Sequence, residues 1–241
     1  MNPVAAIIAA VILALGLALG GWFGGQGLVQ SRLGDRSVSV KGLSEREVKA
    51  DLALWGLRFV ATGNDLKETQ VEIKRNADNV IRFLRSHGFS EDDIERQAPQ
   101  VTDRLAQNWS SGQVESRFII AQQIVLRTTD IDRVVKANSE SSALVDQGVV
   151  LSNEYGPVRP SYLFTGIAAL KPEMIEEATK RAREAAETFA ADSGSSLGGI
   201  RRAWQGQFEI LPRDATPGTQ EAEQVVKTVR VVSTIEYLLV D

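Results

Sequence analysis

The chain offers few side chains for catalysis. It has one histidine, His87, and no cysteine. A histidine-rich zinc site, a thiolate metal site and a cysteine nucleophile therefore cannot be assembled within one chain. His87 stands one residue before Gly88, and an imidazole near the C-terminus of a helix has an ordinary structural use as a donor or a cation. We favour that use over catalysis.

Two clusters of carboxylates are the next candidates. They are Glu91-Asp92-Asp93-Glu95 and Glu173-Glu176-Glu177. Paired carboxylates can perform acid/base catalysis or bind a hard cation through their oxygens. Both clusters are expected at the starts of helices, where acidic side chains interact favourably with the helix dipole. We therefore favour solvated caps over a catalytic or metal site.

A loop rich in serine and glycine, SGSSLGG at 193–199, has the composition of a phosphate-binding loop. It follows a predicted helix instead of preceding one, and it lacks the lysine of a nucleotide-binding loop. We interpret it as a C-cap and turn. The sequence thus predicts a protein that is not an enzyme and has no cofactor, with no catalytic, cofactor-binding or metal-binding residues.

Composition limits the partners further. The chain has 241 residues, of which 43% are hydrophobic, enough for one large domain or two small ones. It carries 27 basic and 31 acidic side chains, a formal net charge of −4. This is not the basic surface that binding to a phosphate backbone requires, so we expect no nucleic-acid partner.

An apolar run begins the chain. From Val4 to Gly25 nearly every residue is apolar or small, a length of roughly 33 Å as a helix, enough to cross a bilayer core of about 30 Å. A cleaved signal peptide is the alternative, but it usually has a charged start and a shorter apolar stretch. We predict a retained membrane anchor and linker at 1–35 and a soluble domain at 36–241. The anchor would be single-pass in a bacterial inner membrane, with the soluble domain in the periplasm.

Small residues form stripes along this segment. Gly16, Gly20 and Gly24 recur at every fourth position, a spacing that lets two helix backbones approach closely in lipid. Trp22 fits an aromatic anchor at the membrane interface. We predict that Gly16, Gly20, Gly24 and Trp22 form an oligomer contact; the alternative is that glycine is simply common in bacterial apolar segments.

The rest of the chain has an α+β pattern dominated by antiparallel strand pairs, packed with about three helices. Asp65 and Gly88 delimit the first helix, Asp130 caps a second that ends near Asp146, and the third runs from Pro172 to about Ser193. The predicted strands are 37–48 and 51–61 as a first pair, 94–106 and 114–128 as a hairpin, then 149–151, 162–165, 199–211 and 223–240.

The third helix has an alanine stripe, which lets a helix lie close to a sheet or to another helix. The residues expected to face inward are Ala178, Ala182, Ala185, Ala186 and Ala190.

Three stretches carry a family resemblance. They are YLFTGIAALKPEMIEEATKRAREAAETFAADSGSSLGGIRRAWQGQFEI at 162–210, VSVKGLSEREVKADLALWGLRF at 38–59 and VRVVSTIEYLLV at 229–240. Their alanine-spaced helix, the Ser-Gly-Ser-x-Leu-Gly turn and the strand after it resemble the SIMPL-domain family. The resemblance implies a secreted, periplasmic or membrane-anchored α+β protein. Members of the family include ring- or channel-forming oligomers and proteins linked to stress tolerance, and no catalytic residues carry over.

Two functions follow from these observations. The first is a non-enzymatic, membrane-anchored periplasmic protein that self-assembles into a ring- or cage-like homo-oligomer, with a stress-related or channel-like role. The second is a monomeric or dimeric binding module for a small ligand or a stress product. The lipid bilayer and further copies of the chain are the partners expected for the first.

Overall fold

The computed structural model describes residues 14–22, 36–106, 115–152 and 158–240. Residues 14–22 form a helical segment, α1. The other helices are α2 (Leu66–Ser86), α3 (Ile131–Ser139), α4 (Ser142–Asp146) and α5 (Ile167–Asp192), with a 3-10 turn at Glu221–Glu223. The strands are β1 (Ser37–Lys49), β2 (Leu52–Gly63), β3 (Ile94–Arg96), β4 (Gln100–Asp103), β5 (Phe118–Thr128), β6 (Val150–Leu151), β7 (Ser161–Leu163), β8 (Ser196–Gln205), β9 (Glu209–Pro212) and β10 (Val226–Val240).

The strands form two sheets. A four-stranded sheet has the order β1-β10-β8, and β9 also pairs with β10. A six-stranded sheet has the order β3-β5-β2-β6, with β4 pairing with β5 and β7 with β2. The expected first strand pair is therefore wrong, because β1 and β2 are consecutive in the chain but belong to different sheets. The α+β class and the antiparallel pairing are confirmed.

The chain divides into two compact units. Unit 1 takes its residues from Met1–Glu45, Pro172–Phe208 and Arg230–Asp241, and unit 2 consists of Arg46–Lys171 and Glu209–Val229. Each has its own hydrophobic cluster.

In unit 2, one face of the β2–β5 pair is buried under α2 and its neighbours. Trp55, Leu57 and Phe59 are fully buried on β2, and Trp55 and Leu57 lie opposite Leu126 and Ile124 of β5. Helix α2 begins as predicted, with Asp65 as its N-cap. The Asp65 carboxylate accepts hydrogen bonds from the backbone N–H groups of Lys67 and Glu68, which have no partner within the helix. The helix ends at Ser86 and is followed by His87 and Gly88, whose φ of +85° suits glycine.

Two predicted elements of unit 2 are interrupted. The strand expected at 94–106 is divided into β3 and β4 by residues 97–99, which include Pro99, a residue without an N–H to donate to β5. The helix expected from Asp130 to Asp146 is broken after Ser139 into α3 and α4. Because of that break, the described part of the chain after α1 has four helices, α2 to α5, where the sequence predicted about three.

In unit 1, helix α5 packs on the four-stranded sheet through its alanines. Ala182 and Ala186 form a buried cluster with Val38 of β1 and with Ile235 and Tyr237 of β10. Ala178 and Ala190 are buried too, but Ala185 is exposed, so its expected inward position is wrong.

Strand β1 approaches the α5 backbone at Gly42. A Cβ atom added there would overlap the carbonyl oxygen of Ala178 and would lie 2.6 Å from the backbone nitrogen of Ala182. The absence of a side chain at Gly42 and the small side chains of α5 together permit this close packing.

Helix α5 begins five residues before the expected Pro172, at Ile167. Its start is capped from a distant part of the chain by Asp51, which follows β1. The Asp51 carboxylate accepts hydrogen bonds from the backbone N–H of Thr165 (2.8 Å) and of Gly166 (2.9 Å), and from the Thr165 hydroxyl (3.1 Å). Pro172 therefore lies inside the helix instead of in its first turn.

Candidate functional site

The edge strand β8 is the most exposed strand of unit 1. Its ten residues pair with β10 on one side, and β8 ends the strand order of its sheet. All residues from Gly199 to Gln205 are exposed. Proteins usually shorten, charge or cover such an edge, because its unpaired backbone groups can pair with another chain.

Two large apolar side chains project from this edge on opposite faces of the sheet. Ile200 is 57% exposed and lies opposite Tyr237, on the face that packs against α5. Trp204 is 48% exposed and lies opposite Thr234, on the other face. A strand added at this edge would cover apolar surface on both faces.

The pairing of β8 with β10 is irregular on each side of Ile200. Arg202 pairs with Glu236, Ile200 with Tyr237, and Leu197 with Leu239. One extra β8 residue is thus accommodated between 200 and 202, and another between 197 and 200. As a result Leu197, Ile200 and Ala203, spaced by three residues, all pair with residues on the α5-facing side of β10.

The two arginines of β8 are engaged within their own sheet. The guanidinium of Arg201 lies 3.2 Å from the carboxylate of Glu236, and the guanidinium of Arg202 lies over the Trp204 ring at 5.2 Å. A hydrogen bond from the Ser37 hydroxyl (2.6 Å), together with the charges of Arg201 and Arg202, holds the pKa of Glu236 below its usual range. Both arginines therefore interact with residues of their own sheet, Glu236 and Trp204.

His87 lies where the sequence predicts it, at the end of α2. Its Nδ1 is 2.8 Å from the carbonyl oxygen of Phe83, and its Nε2 is 3.0 Å from the Glu140 carboxylate. The Ser86 hydroxyl donates to the same Phe83 oxygen at 2.7 Å, so its proton is not directed at the imidazole. Both ring nitrogens face acceptors of the protein itself, and the ring connects α2 with the residue that follows α3.

The carboxylate clusters are not placed as expected. Glu91, Asp92 and Asp93 form a turn before β3, not a helix start, with Glu91 paired to Arg85. Glu173, Glu176 and Glu177 lie in the second and third turns of α5, because that helix begins earlier than predicted. Glu177 accepts hydrogen bonds from Ser44 (2.8 Å) and Arg181 (2.6 Å). In the described part of the chain, no group of three or more acidic or histidine side chains is arranged to hold a metal ion.

The serine- and glycine-rich stretch at 193–199 is the predicted C-cap of α5 only in its first part, because β8 begins at Ser196. Gly194 has a φ of +68°, its N–H donates to Ala191, and the Ser195 N–H donates to Ala190. These two bonds are those of a Schellman motif, which satisfies the last carbonyls of a helix.

A buried lysine, Lys227 of β10, holds the 3-10 turn of unit 2. Its side chain is fully buried, and its Nζ donates to the backbone oxygen of Glu221 (2.6 Å) while pairing with the Glu221 carboxylate. The Lys227 amine is thus hydrogen-bonded and paired with a carboxylate inside the fold, which is a structural role.

The predicted oligomer contact lies partly in α1. Gly16 and Gly20 have nothing within 4 Å of an added Cβ, and Trp22 is 66% exposed. Gly24, like most of the apolar run, lies outside the described residues. No helix that the structure describes is both long and apolar enough to cross a membrane.

The fold and these sites define an α+β protein with two antiparallel sheets and an accessible edge strand. The family model described as "SIMPL: Protein of unknown function (DUF541)" matches residues 38–236. The chain therefore belongs to the SIMPL (DUF541) family, as its sequence motifs indicated. No curated protein matches it.

Sequence reasoning missed the exposed edge. It predicted one strand over 199–211, which the structure divides into β8 (Ser196–Gln205) and β9 (Glu209–Pro212). Whether a strand lies at the centre or the edge of a sheet depends on its partners, not on its own residues. The one local signal is the run Gly198-Gly199-Ile200-Arg201-Arg202, which lacks the alternation of a strand with one buried face.

Proposed function

We propose that this protein is a non-enzymatic, membrane-anchored periplasmic protein that self-assembles into a homo-oligomer of ring or cage type. The observation that carries the proposal is the β8 edge, where a ten-residue strand exposes Ile200 and Trp204 on opposite faces of its sheet. An exposed edge with large apolar side chains is a site for strand addition. A channel-like or stress-related role would be exercised by the assembled form.

The apolar run at the start of the chain supports the anchored form of this proposal. Its α1 portion exposes Leu15, Leu17, Leu19 and Trp22, which suits lipid better than water. Gly16 and Gly20 leave open space for a neighbouring helix to approach. Fractionation of cells tests this arrangement: we expect the protein in the inner membrane fraction, with its soluble domain digested by protease added to spheroplasts. Recovery of the full-length chain in a soluble fraction would contradict the anchor.

Assembly is tested by measuring the mass of the full-length protein in mild detergent. We expect an oligomer, and a monomer with an intact N-terminus would refute the proposal. Gly20→Leu should lower the mass if the glycine stripe of α1 is a contact, whereas Gly21→Leu, one position off that stripe, should not. An oligomer of unchanged mass in Gly20→Leu would confine assembly to the residues after the linker.

The competing function, a binding module for a small ligand, predicts a different result. A ligand that binds only the folded state raises the melting temperature of a monomer or dimer by mass action. A reproducible shift in a metabolite screen, combined with a monomeric or dimeric mass, would favour that function instead.

A further inference from the structure

We propose that β8 pairs antiparallel with β8 of a second copy of this chain, about a two-fold axis that passes at Ile200. This inference rests on the proposed function and specifies one of its interfaces. The contact would join two four-stranded sheets edge to edge. It would be isologous, with the same residues contributed by both copies.

The β8 edge lacks the usual protection against such pairing. It is ten residues long, whereas protected edges are typically short or carry outward-facing charges. Its two charged residues, Arg201 and Arg202, are held by Glu236 and Trp204 of the same copy. A second strand can therefore approach without meeting an unpaired charge.

The two irregularities of β8 make the strand symmetric about Ile200. Between residues 197 and 203, the residues that pair with the α5-facing side of β10 are Leu197, Ile200 and Ala203, at equal spacing on either side of the centre. In an antiparallel pair, residues that lie directly opposite share a face of the sheet. A two-fold axis at Ile200 places Leu197 opposite Ala203 of the second copy, so the faces match. A shift by one residue would place inner side chains opposite outer ones.

Side-chain size selects the same register. Apart from Leu197 and Ala203, the strand has small residues before Ile200 and large ones after it, and the axis places the two halves opposite each other. The resulting pairs are Arg201 with Gly199, Arg202 with Gly198, and Trp204 with Ser196 of the second copy. No arginine lies directly opposite an arginine, an arrangement that would be destabilising.

The limited size of the contact favours a copy anchored in the same membrane as the partner. A stable interface typically takes about 20–30 residues from each side, more than the ten that β8 supplies. Such a contact becomes populated when tethering raises the effective concentration of the two strands. Two copies anchored side by side in a bilayer meet that condition.

Disulfide trapping in the full-length protein tests the register, because the chain has no native cysteine. In the proposed pair, two copies of Ile200→Cys have Cα atoms about 4.5–5.5 Å apart, within the range that a disulfide spans. The matched control is Gln205→Cys, at another exposed position of the same strand. In the same pair, the Cα atoms of the two copies of residue 205 would be roughly 33 Å apart, because ten residue positions separate them along the strands.

After mild oxidation in membranes, we expect at least tenfold more covalent dimer for Ile200→Cys than for Gln205→Cys. The melting temperature of each variant verifies that it is folded, and the detergent mass of the unmodified protein is measured in parallel. An oligomeric mass with no Ile200→Cys dimer, or with equal dimer in both variants, would overturn the β8 contact and leave the proposed function standing. A monomeric mass would overturn both.

Discussion

The close approach of β1 to α5 makes Gly42→Ala the sharpest test of how unit 1 is packed. The added methyl group would overlap the carbonyl oxygen of Ala178 and lie 2.6 Å from the nitrogen of Ala182, against 3.4 Å or more for an ordinary contact. Relieving the contact with the Ala182 nitrogen alone would take a separation of about 0.8 Å between strand and helix, and the closer overlap with the Ala178 oxygen requires more. Such a separation would loosen the contact of Ala182 with its core cluster. Overpacking costs about 1–3 kcal/mol, and both obstacles here are backbone atoms, so we expect a loss of about 3 kcal/mol.

Urea denaturation followed by circular dichroism measures this loss as a change in the free energy of unfolding. The matched control is Gly199→Ala on β8, where nothing lies within 4 Å of an added Cβ. Replacing glycine by alanine also restricts the unfolded chain, an effect of about 0.4–1 kcal/mol that is common to both variants. We therefore expect the control to stay within about 1 kcal/mol of the wild type. Equal losses in the two variants, or a loss below about 1 kcal/mol in Gly42→Ala, would refute this account of the packing.

Three further predictions concern single polar groups. Asp51→Ala should cost about 1–2 kcal/mol and speed amide exchange in the first turn of α5, because it removes the cap on Thr165 and Gly166; unchanged exchange there would count against the cap. Ser37→Ala should destabilise the protein at pH 7 but not well below pH 4.5, the ordinary pKa of a glutamate. Because the pKa of Glu236 is lower in the folded than in the unfolded protein, its carboxylate stabilises the fold at pH values above the unfolded-state pKa. That contribution is lost as the pH falls through the folded-state pKa, so an effect of Ser37→Ala that does not depend on pH would contradict this account. Glu221→Ala should lower the free energy of unfolding, measured by urea denaturation, by about 3 kcal/mol, because it leaves the buried ammonium of Lys227 without its counter-charge. Lys227→Met should cost less, and the reverse order would contradict the pairing.

Local signals were sufficient for α2. Its cap at Asp65 and its C-terminal glycine, Gly88, act within one stretch of chain, and the structure agrees with both. The same reasoning located the C-cap of α5 at Gly194.

Long-range contacts explain the misplaced start of α5. Pro172 is typical of a first helical turn, so the sequence favours a start there. The group that actually caps the helix, Asp51, lies more than one hundred residues away in the chain. Nothing near residue 167 reveals such a partner.

The separation of β1 from β2 has the same origin. Strands that are adjacent in the chain usually pair, but β1 takes its partner from β10, at the other end of the chain. The candidate site could be predicted only in part for this reason. Strand structure in this part of the chain was predicted from its residues, although as one strand over 199–211 instead of β8 and β9. The position of β8 at an edge follows from the order of strands in the sheet.

The extra residues of β8 also bear on how this family can change in length. In a regular strand, deleting one residue turns every following side chain to the opposite face. Strand β8 already accommodates one surplus residue on each side of Ile200. Loss of Arg201, or of either Gly198 or Gly199, would convert an irregular stretch into a regular one and keep Leu197 and Ala203 facing inward. We therefore expect related chains to tolerate single-residue deletions at these two places more readily than anywhere in β10.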